Sequence, residues 1–269
     1  MRFSSHGCGE AVLLIHGMPT NGHLWDDVVR LLSRSYQCFA VDLPGKHGTP
    51  FVPYGPSYFK EVADQIEQVR IRSRVECWHV VGHDGGAAIA VQYAHYYPQR
   101  VRCLSLLSPA VFSDLRPPFP LSLLRIPILG EILAPLVHIL FWQIIMRRAM
   151  PNACTAAQRE SFQSEFVGLS APWQFMQLVR WGKPEMVFKD FPQILRNLTC
   201  PTLLIHGSRD VLPASFARRA SEMIPHSKLA MFDSGHFIPL EQSDKVAATL
   251  DELFRLRAAR NDVATLVHV

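Results

Sequence analysis

The segment His79-Val80-Val81-Gly82-His83-Asp84-Gly85-Gly86-Ala87-Ala88 constrains the fold more than any other stretch of the chain. It passes from an apolar strand through a tight turn of small residues into an alanine-rich helix. A carboxylate, Asp84, stands where that turn is sharpest, within Gly82-His83-Asp84-Gly85-Gly86. In a small-x-nucleophile-x-small turn the central residue has a strained backbone. Side chains at the flanking positions would collide with the neighbouring strand and helix.

The rest of the chain alternates strands and helices around this turn. Ala11 to Ile15 is a continuous apolar run, as expected of a strand buried on both faces of a parallel sheet. His16-Gly17-Met18-Pro19-Thr20 follows as a loop, Asn21 is placed to cap a short turn, and Leu24 to Leu32 reads as an amphipathic helix. Gln37 to Val41 is the next strand, and Asp42 is expected to stabilise the turn that follows. Residues 46–56 form a Pro- and Gly-rich surface loop. Ser57 is expected to cap a helix of about fifteen residues with Phe59, Val62, Ile66 and Val69 on one face. Glu76 to Val81 enters the sharp turn, Gly85 to Tyr97 leaves it as a helix, and Val101 to Leu107 is a further strand. Pro201 to His206 and Lys228 to Phe232 are later strands, flanking a helix at Ala214 to Met223. A final helix is expected over about Leu240 to Arg260, with Asn261 to Val269 as a loose tail.

Between these blocks the rhythm changes. From Arg116-Pro117-Pro118-Phe119-Pro120 to about Asn197 there are no strand runs, only helical apolar periodicity. The expected organisation is therefore a core over residues 1–112, an inserted helical cap over 113–198 and the rest of the core over 199–269. Ile132 to Trp142 is the most apolar run. It is shorter than the ~20 residues of a membrane span and contains Pro135 and His138, so it reads as a cap or core helix.

Composition excludes several functional classes. The chain has 269 residues, 48% of them apolar and 19% charged, and a formal net charge of +4 without a long basic run. Nucleic acid is therefore not an expected partner. The six cysteines are scattered without paired spacing, as expected of reduced thiols in a cytoplasmic protein, and no metal or cofactor motif is present. With a core strand beginning by about Ala11, no signal peptide is expected. A small apolar organic molecule is the expected partner, and a homodimer is left open.

Three residues stand just after strands in the order nucleophile, acid, base. They are Asp84, Asp210 in His206-Gly207-Ser208-Arg209-Asp210, and His236 in Ser234-Gly235-His236-Phe237. Polar groups at the carboxyl ends of parallel strands converge on one site. On these motifs the chain resembles the α/β-hydrolase superfamily over nearly its full length. The Asp turn and the His16-Gly17-x-Pro19 loop look like its epoxide hydrolase and haloalkane dehalogenase branch. The resemblance implies an α/β-hydrolase fold: a mostly parallel sheet wrapped by helices, with an inserted helical cap. It also implies an oxyanion hole from the backbone N–H groups of Met18 and Gly85. Relatives carry one or two additional antiparallel strands before the first core strand. With about ten residues there, this sheet is expected to be short at that edge.

An Asp nucleophile suits displacement at an sp³ carbon, leaving an ester on Asp84. His236 would activate water against that ester and Asp210 would orient the imidazole. Asp114 offers an alternative acid but reads more simply as a loop residue or helix cap. His16 is expected to brace the oxyanion loop and His83 to pack beside it. The leaving-group partner is not evident. Gly85 stands where dehalogenase relatives carry Trp, and no Tyr occurs between Ser113 and Cys200. His138, Trp142, Trp173 and Trp181 are the cap residues expected at the substrate pocket. Epoxide hydrolase-like chemistry on an apolar substrate is the leading expectation. The alternatives are dehalogenation, a lyase or cyclase step with Asp84 as base, and a non-catalytic binder of an apolar ligand.

Overall fold

The computed structural model describes residues 1–44, 52, 55, 57–117, 119–146, 150, 154–180 and 184–266. Strands β1 (Arg2–His6), β2 (Glu10–Ile15) and β3 (Tyr36–Asp42) open the chain, with helix α1 (Asp26–Leu32) between β2 and β3. Helix α2 (Tyr58–Arg72), β4 (Trp78–His83), α3 (Gly85–Tyr96) and β5 (Val101–Leu107) follow. After a long helical stretch come β6 (Thr202–Gly207) and β7 (Lys228–Phe232). Among the described residues these strands form a seven-stranded sheet in the order β1-β3-β2-β4-β5-β6-β7. Only β1 runs antiparallel to its neighbour. The carboxyl ends of β2, β4, β5, β6 and β7 therefore open onto one edge, where ligands of such sheets bind.

The central strands owe their place to solvent exclusion. All six residues of β4 and all six of β6 are buried, so neither strand shows alternation. Helix α3 is buried over Gly85–Ala94 and packs against α2, β4 and β5. Small alanines allow that close approach. On α2 the expected face is buried: Phe59, Val62, Ile66 and Val69.

Several expectations are corrected. Strand β1 extends the sheet where a short edge was expected, pairing Arg2 to Asp42 and His6 to Cys38. All five of its residues are exposed, so its hydrogen bonds to β3 are its main hold, with one apolar contact between the Phe3 and Phe39 rings. Ser57 precedes α2 but makes no side-chain capping bond. Asp42 does not stabilise its own turn alone; its Oδ1 accepts from the Gly22 N–H at 2.9 Å. The last helix begins at Ser243 and continues to Leu266, through most of the segment expected to be a loose tail. Most of the 46–56 loop lies outside the described residues.

The chain between β5 and β6 is helical. A 3₁₀ turn (Leu121–Arg125) leads into α4 (Leu129–Leu140), which continues through a π-helical turn (Phe141–Ile145). Then come α5 (Ala156–Ser164), α6 (Ala171–Arg180), α7 (Pro184–Val187) and α8 (Phe191–Arg196). The remaining helices are α9 (Ala214–Met223), α10 (Ile238–Glu241) and α11 (Ser243–Leu266). On α4, Ala134 and Val137 are buried while Ile132, Leu136 and Ile139 are more than half exposed. No described helix is long and apolar enough to cross a membrane. Asn21 ties this helical segment to the sheet. Its side chain caps the turn after β2 by accepting from the His23 N–H, and its Nδ2 donates to Ser161 Oγ at 2.9 Å.

Candidate active site

Asp84 sits at the junction of β4 and α3 with φ 52° and ψ −120°, a conformation that L residues rarely adopt. Its N–H donates to the Leu107 carbonyl at the end of β5, 2.9 Å away. The neighbouring glycines are required by contact. A Cβ on Gly82 would lie 2.4 Å from the Gly86 carbonyl oxygen, and one on Gly86 would lie 2.3 Å from that of His16. Both obstacles are backbone and cannot swing aside.

The loop after β2 supplies the other wall of the turn. The Met18 N–H donates to Asp84 Oδ2 at 2.9 Å, and the Gly85 N–H also points to the Asp84 carboxylate. His16 braces this loop. Its Nε2 accepts from the Leu43 N–H at 3.0 Å, which leaves Nδ1 to donate to the Gly17 carbonyl at 2.9 Å. The resemblance gave the two N–H donors an oxyanion role; here the Met18 N–H binds the carboxylate itself and the Gly85 N–H is directed toward it.

His236 follows β7 and spans the gap between the two acids. Its Nδ1 is 2.9 Å from Asp210 Oδ1 and its Nε2 is 3.9 Å from Asp84 Oδ1. Asp210 accepts at the same time from the Leu212 N–H at 2.8 Å and from the Ser108 hydroxyl. His83 packs behind the site, with Nε2 bonded to the His236 carbonyl at 2.9 Å. Asp114 lies elsewhere, paired with Arg219 at 2.8 Å, so it is not a rival acid.

These contacts set the protonation states. Burial acts to raise the Asp210 pKa, but the hydrogen bond and charge of His236, with the Ser108 and Leu212 donors, bring it down to about 2. Burial acts to lower the His236 pKa, yet Asp210, Asp84 and Glu241 together hold it above the ordinary imidazole value. Burial also pushes the Asp84 carboxyl upward, against His236 and the Gly85 and Met18 N–H groups. His83 is driven down to about 3, first by burial and then by His236; it is a neutral support at neutral pH.

Above Asp84 and His236 lies a cavity with an empty volume of about 990 Å³, partly open to solvent. Its wall is mainly apolar, including Phe112, Leu121, Phe141 and Phe188. Of the cap residues expected there, the described ones, His138, Trp142 and Trp173, are not among its lining. Trp142 Nε1 donates to His138 Nε2 at 3.1 Å. Both pack into the aromatic interior of the helical segment, His138 against Phe175 and Trp142 against Phe166. Trp173 is 42% exposed. Trp181 lies outside the described residues. The correction has a simple cause. Helical periodicity identifies an apolar face but not whether that face meets the cavity or another helix of the segment. Two polar groups escaped the sequence reading: Ser108, one residue past β5, and Arg125, a lone cation in the apolar run at residues 119–130.

The comparisons place this geometry in a family. A family model described as "Alpha/beta hydrolase family" matches residues 12–249. The chain is 27% identical to the abhydrolase domain-containing protein abhd-5.2 of Caenorhabditis elegans over 87% of this chain and 56% of the relative, so it spans little more than half that protein's length. It is 27% identical to the cis-3-alkyl-4-alkyloxetan-2-one decarboxylase of Shewanella oneidensis, over 91% of this chain and 82% of the relative. Among solved structures it is similar in fold to the haloalkane dehalogenase DbeA of Bradyrhizobium elkani, with a TM-score of 0.80 and 21% identity over 96% of this chain and 94% of that one. The strand order, the sharp turn at Asp84 and the match across most of the chain agree: this chain belongs to the alpha/beta hydrolase family.

Proposed function

We propose that the chain is a hydrolase that attacks an sp³ carbon of a small, largely apolar substrate with the Asp84 carboxylate, and that it opens an epoxide through a covalent alkyl ester. The helical segment between β5 and β6 acts as the cap over the substrate. One observation carries this reading: Asp84 Oδ2 is held by the Met18 N–H at 2.9 Å while Oδ1 faces His236 Nε2 at 3.9 Å. A carboxylate needs no base to attack. Attack at the ring carbon forms the ester bond and breaks the carbon–oxygen bond of the ring. The alkoxide takes the proton of protonated His236, whose raised pKa keeps that proton available. Neutral His236 then takes a proton from water, which adds to the ester carbonyl. The oxyanion is received by the Met18 and Gly85 N–H groups, and collapse releases the diol and restores Asp84.

The test is a single turnover in ¹⁸O water with a panel of alkyl epoxides, followed by mass analysis of the peptide that contains Asp84. Entry of one ¹⁸O into Asp84 supports the reading. Turnover with no label in that peptide contradicts it.

A second reading is favoured by the composition of the cavity wall. No Tyr or Trp is among its described lining residues, which suits a leaving group that departs without a proton. In a four-membered cyclic ester, attack of Asp84 on the sp³ ring carbon expels a carboxylate. The bond between that carboxylate and its carbon then breaks, its electron pair forms an alkene and the Asp84 carboxylate is expelled. Carbon dioxide leaves and no water is consumed. The oxetanone decarboxylase similarity points the same way. Release of carbon dioxide and alkene without ¹⁸O entry into Asp84 distinguishes this route from the first.

A further inference from the structure

The cavity holds one charged side chain that the displacement chemistry does not use. Among its described lining residues the groups able to carry charge are Asp84, His236 and Arg125. Arg125 closes the 3₁₀ turn Leu121–Arg125 and is half-buried. Among the described residues its guanidinium makes one hydrogen bond, from Nη1 to the Leu115 carbonyl at 3.2 Å, and no ion pair. A guanidinium is a planar fork of N–H donors, so most of this one lacks a protein acceptor. Burial and the nearby charge of Arg116 push its pKa below the usual value, and Glu185 pulls the other way. It remains a cation at neutral pH.

Arg180 shows what a purely structural arginine does here. Its Nε donates to the Leu124 carbonyl at 2.7 Å, its Nη2 to the Ile126 carbonyl at 3.4 Å and its Nη1 to Glu131 at 2.6 Å. It thereby holds the carbonyls on both sides of Arg125 and fixes the turn that presents Arg125. Every nitrogen of one guanidinium has a protein acceptor, and that arginine positions another with a single such bond. A guanidinium against an apolar wall carries a desolvation cost, which a carboxylate meeting its fork offsets.

We propose that Arg125 is the anion-recognition point of this cavity, and that the substrate is apolar over most of its length and presents a carboxylate to the Arg125 guanidinium. That the same molecule reacts at Asp84 rests on the proposed displacement chemistry; that Arg125 binds a carboxylate does not. The carboxylate has two sources. It is either carried by the substrate as a permanent terminal group or uncovered when a cyclic ester opens.

Binding is measured first, by calorimetric titration of the full chain with decanoate and with 1-decanol as its neutral match. Decanoate is expected to bind about tenfold tighter or more, the range of a charge-assisted hydrogen bond. In Arg125→Gln the ratio of the two affinities falls toward unity, and Arg125→Lys, which keeps the charge but not the fork, retains part of it. Melting temperatures check that both variants fold. Equal affinity for the two ligands in the wild type, no binding of either, or a ratio that survives in folded Arg125→Gln overturns the proposal.

A kinetic arm separates the sources, using an epoxide with a terminal carboxylate and its methyl ester. A preference for the acid, lost in Arg125→Gln mainly through KM, identifies a permanent carboxylate. No preference between these two, with a lower kcat of Arg125→Gln on a cyclic ester, identifies the uncovered one. Repeating the titration on Asp84→Asn separates the two proposals. Arg125-dependent decanoate binding with no ester ever formed on wild-type Asp84 keeps this inference and dismisses the nucleophile. Ester formation without any carboxylate preference does the reverse.

Discussion

Asp84 combines a strained backbone with a crowded side chain. Its φ of 52° costs a non-glycine residue on the order of 1–3 kcal/mol. That cost is offset by the Leu107 carbonyl, the Met18 and Gly85 N–H groups and the buried α3 packed behind it. Replacing Asp84 with Ala leaves the Met18 N–H without its acceptor and removes the proposed nucleophile. Turnover is expected to fall by about 10³-fold or more, with the cavity still able to bind ligand. The pH dependence follows from His236, whose pKa is held above the ordinary imidazole value despite burial. In the proposed ester Asp84 has lost the charge that helps hold His236 up, so the pKa that governs ester breakdown lies below that of the free enzyme; under it the ring is protonated and cannot activate water, and above it breakdown speeds up. Stopped-flow measurement of ester decay against pH is expected to rise through that pKa, and a flat profile would remove His236 from the second step. Asp210 couples the site to stability. Its folded pKa of about 2 lies below the ordinary carboxylate value. The stability it contributes, about 2 kcal/mol, is therefore present above pH 4 and is lost as the pH falls toward 2. Denaturant unfolding of wild type and Asp210→Asn between pH 2 and 6 is expected to converge at the acid end.

At the scale of elements, close backbone approach does most of the positioning. Gly86 lets α3 pass over the end of β2, within 2.3 Å of where its Cβ would meet the His16 carbonyl. Gly86→Ala must push β2 and α3 apart, and a loss of about 1–3 kcal/mol is expected, measured as a lower denaturation midpoint. A variant as stable as wild type would show that the turn relaxes freely. Most elements were legible because burial leaves an apolar signature: Val101–Leu107, Ala214–Met223 and Lys228–Phe232 were read with the bounds observed. Strand β1 was not legible, because Arg-Phe-Ser-Ser-His is exposed along its length and only its hydrogen bonds to β3 make it a strand. The helix cap expected at Ser57 failed for a related reason. The residue type permits a capping bond, but the side-chain bond is absent.

At the scale of the whole molecule, a parallel sheet carries polar residues from separate strand ends to one edge, and a helical segment closes over them. Asp84, Asp210 and His236 were legible together because each follows a strand, and the fold brings His236 to 2.9 Å from Asp210 and 3.9 Å from Asp84. The cavity wall was not legible. Trp142 and His138 turn into the interior of the helical segment, whereas Arg125 faces the cavity from a 3₁₀ turn that apolar periodicity does not mark. The segment is tied to the sheet body by Asn21 to Ser161 and by Gln158 to the His23 carbonyl at 3.0 Å. Asn21→Ala is expected to loosen this attachment and raise KM for a bulky apolar substrate more than it changes kcat, as steady-state kinetics can establish.

The central claim is that Asp84 becomes esterified. Its most direct test is peptide mass measurement of the wild type, acid-quenched during turnover of an alkyl epoxide at a pH where His236 stays protonated and ester breakdown is slow. The account predicts an adduct equal to the full substrate mass on the peptide containing Asp84, absent from Asp84→Asn treated in the same way. An unmodified Asp84 peptide under those conditions would contradict it.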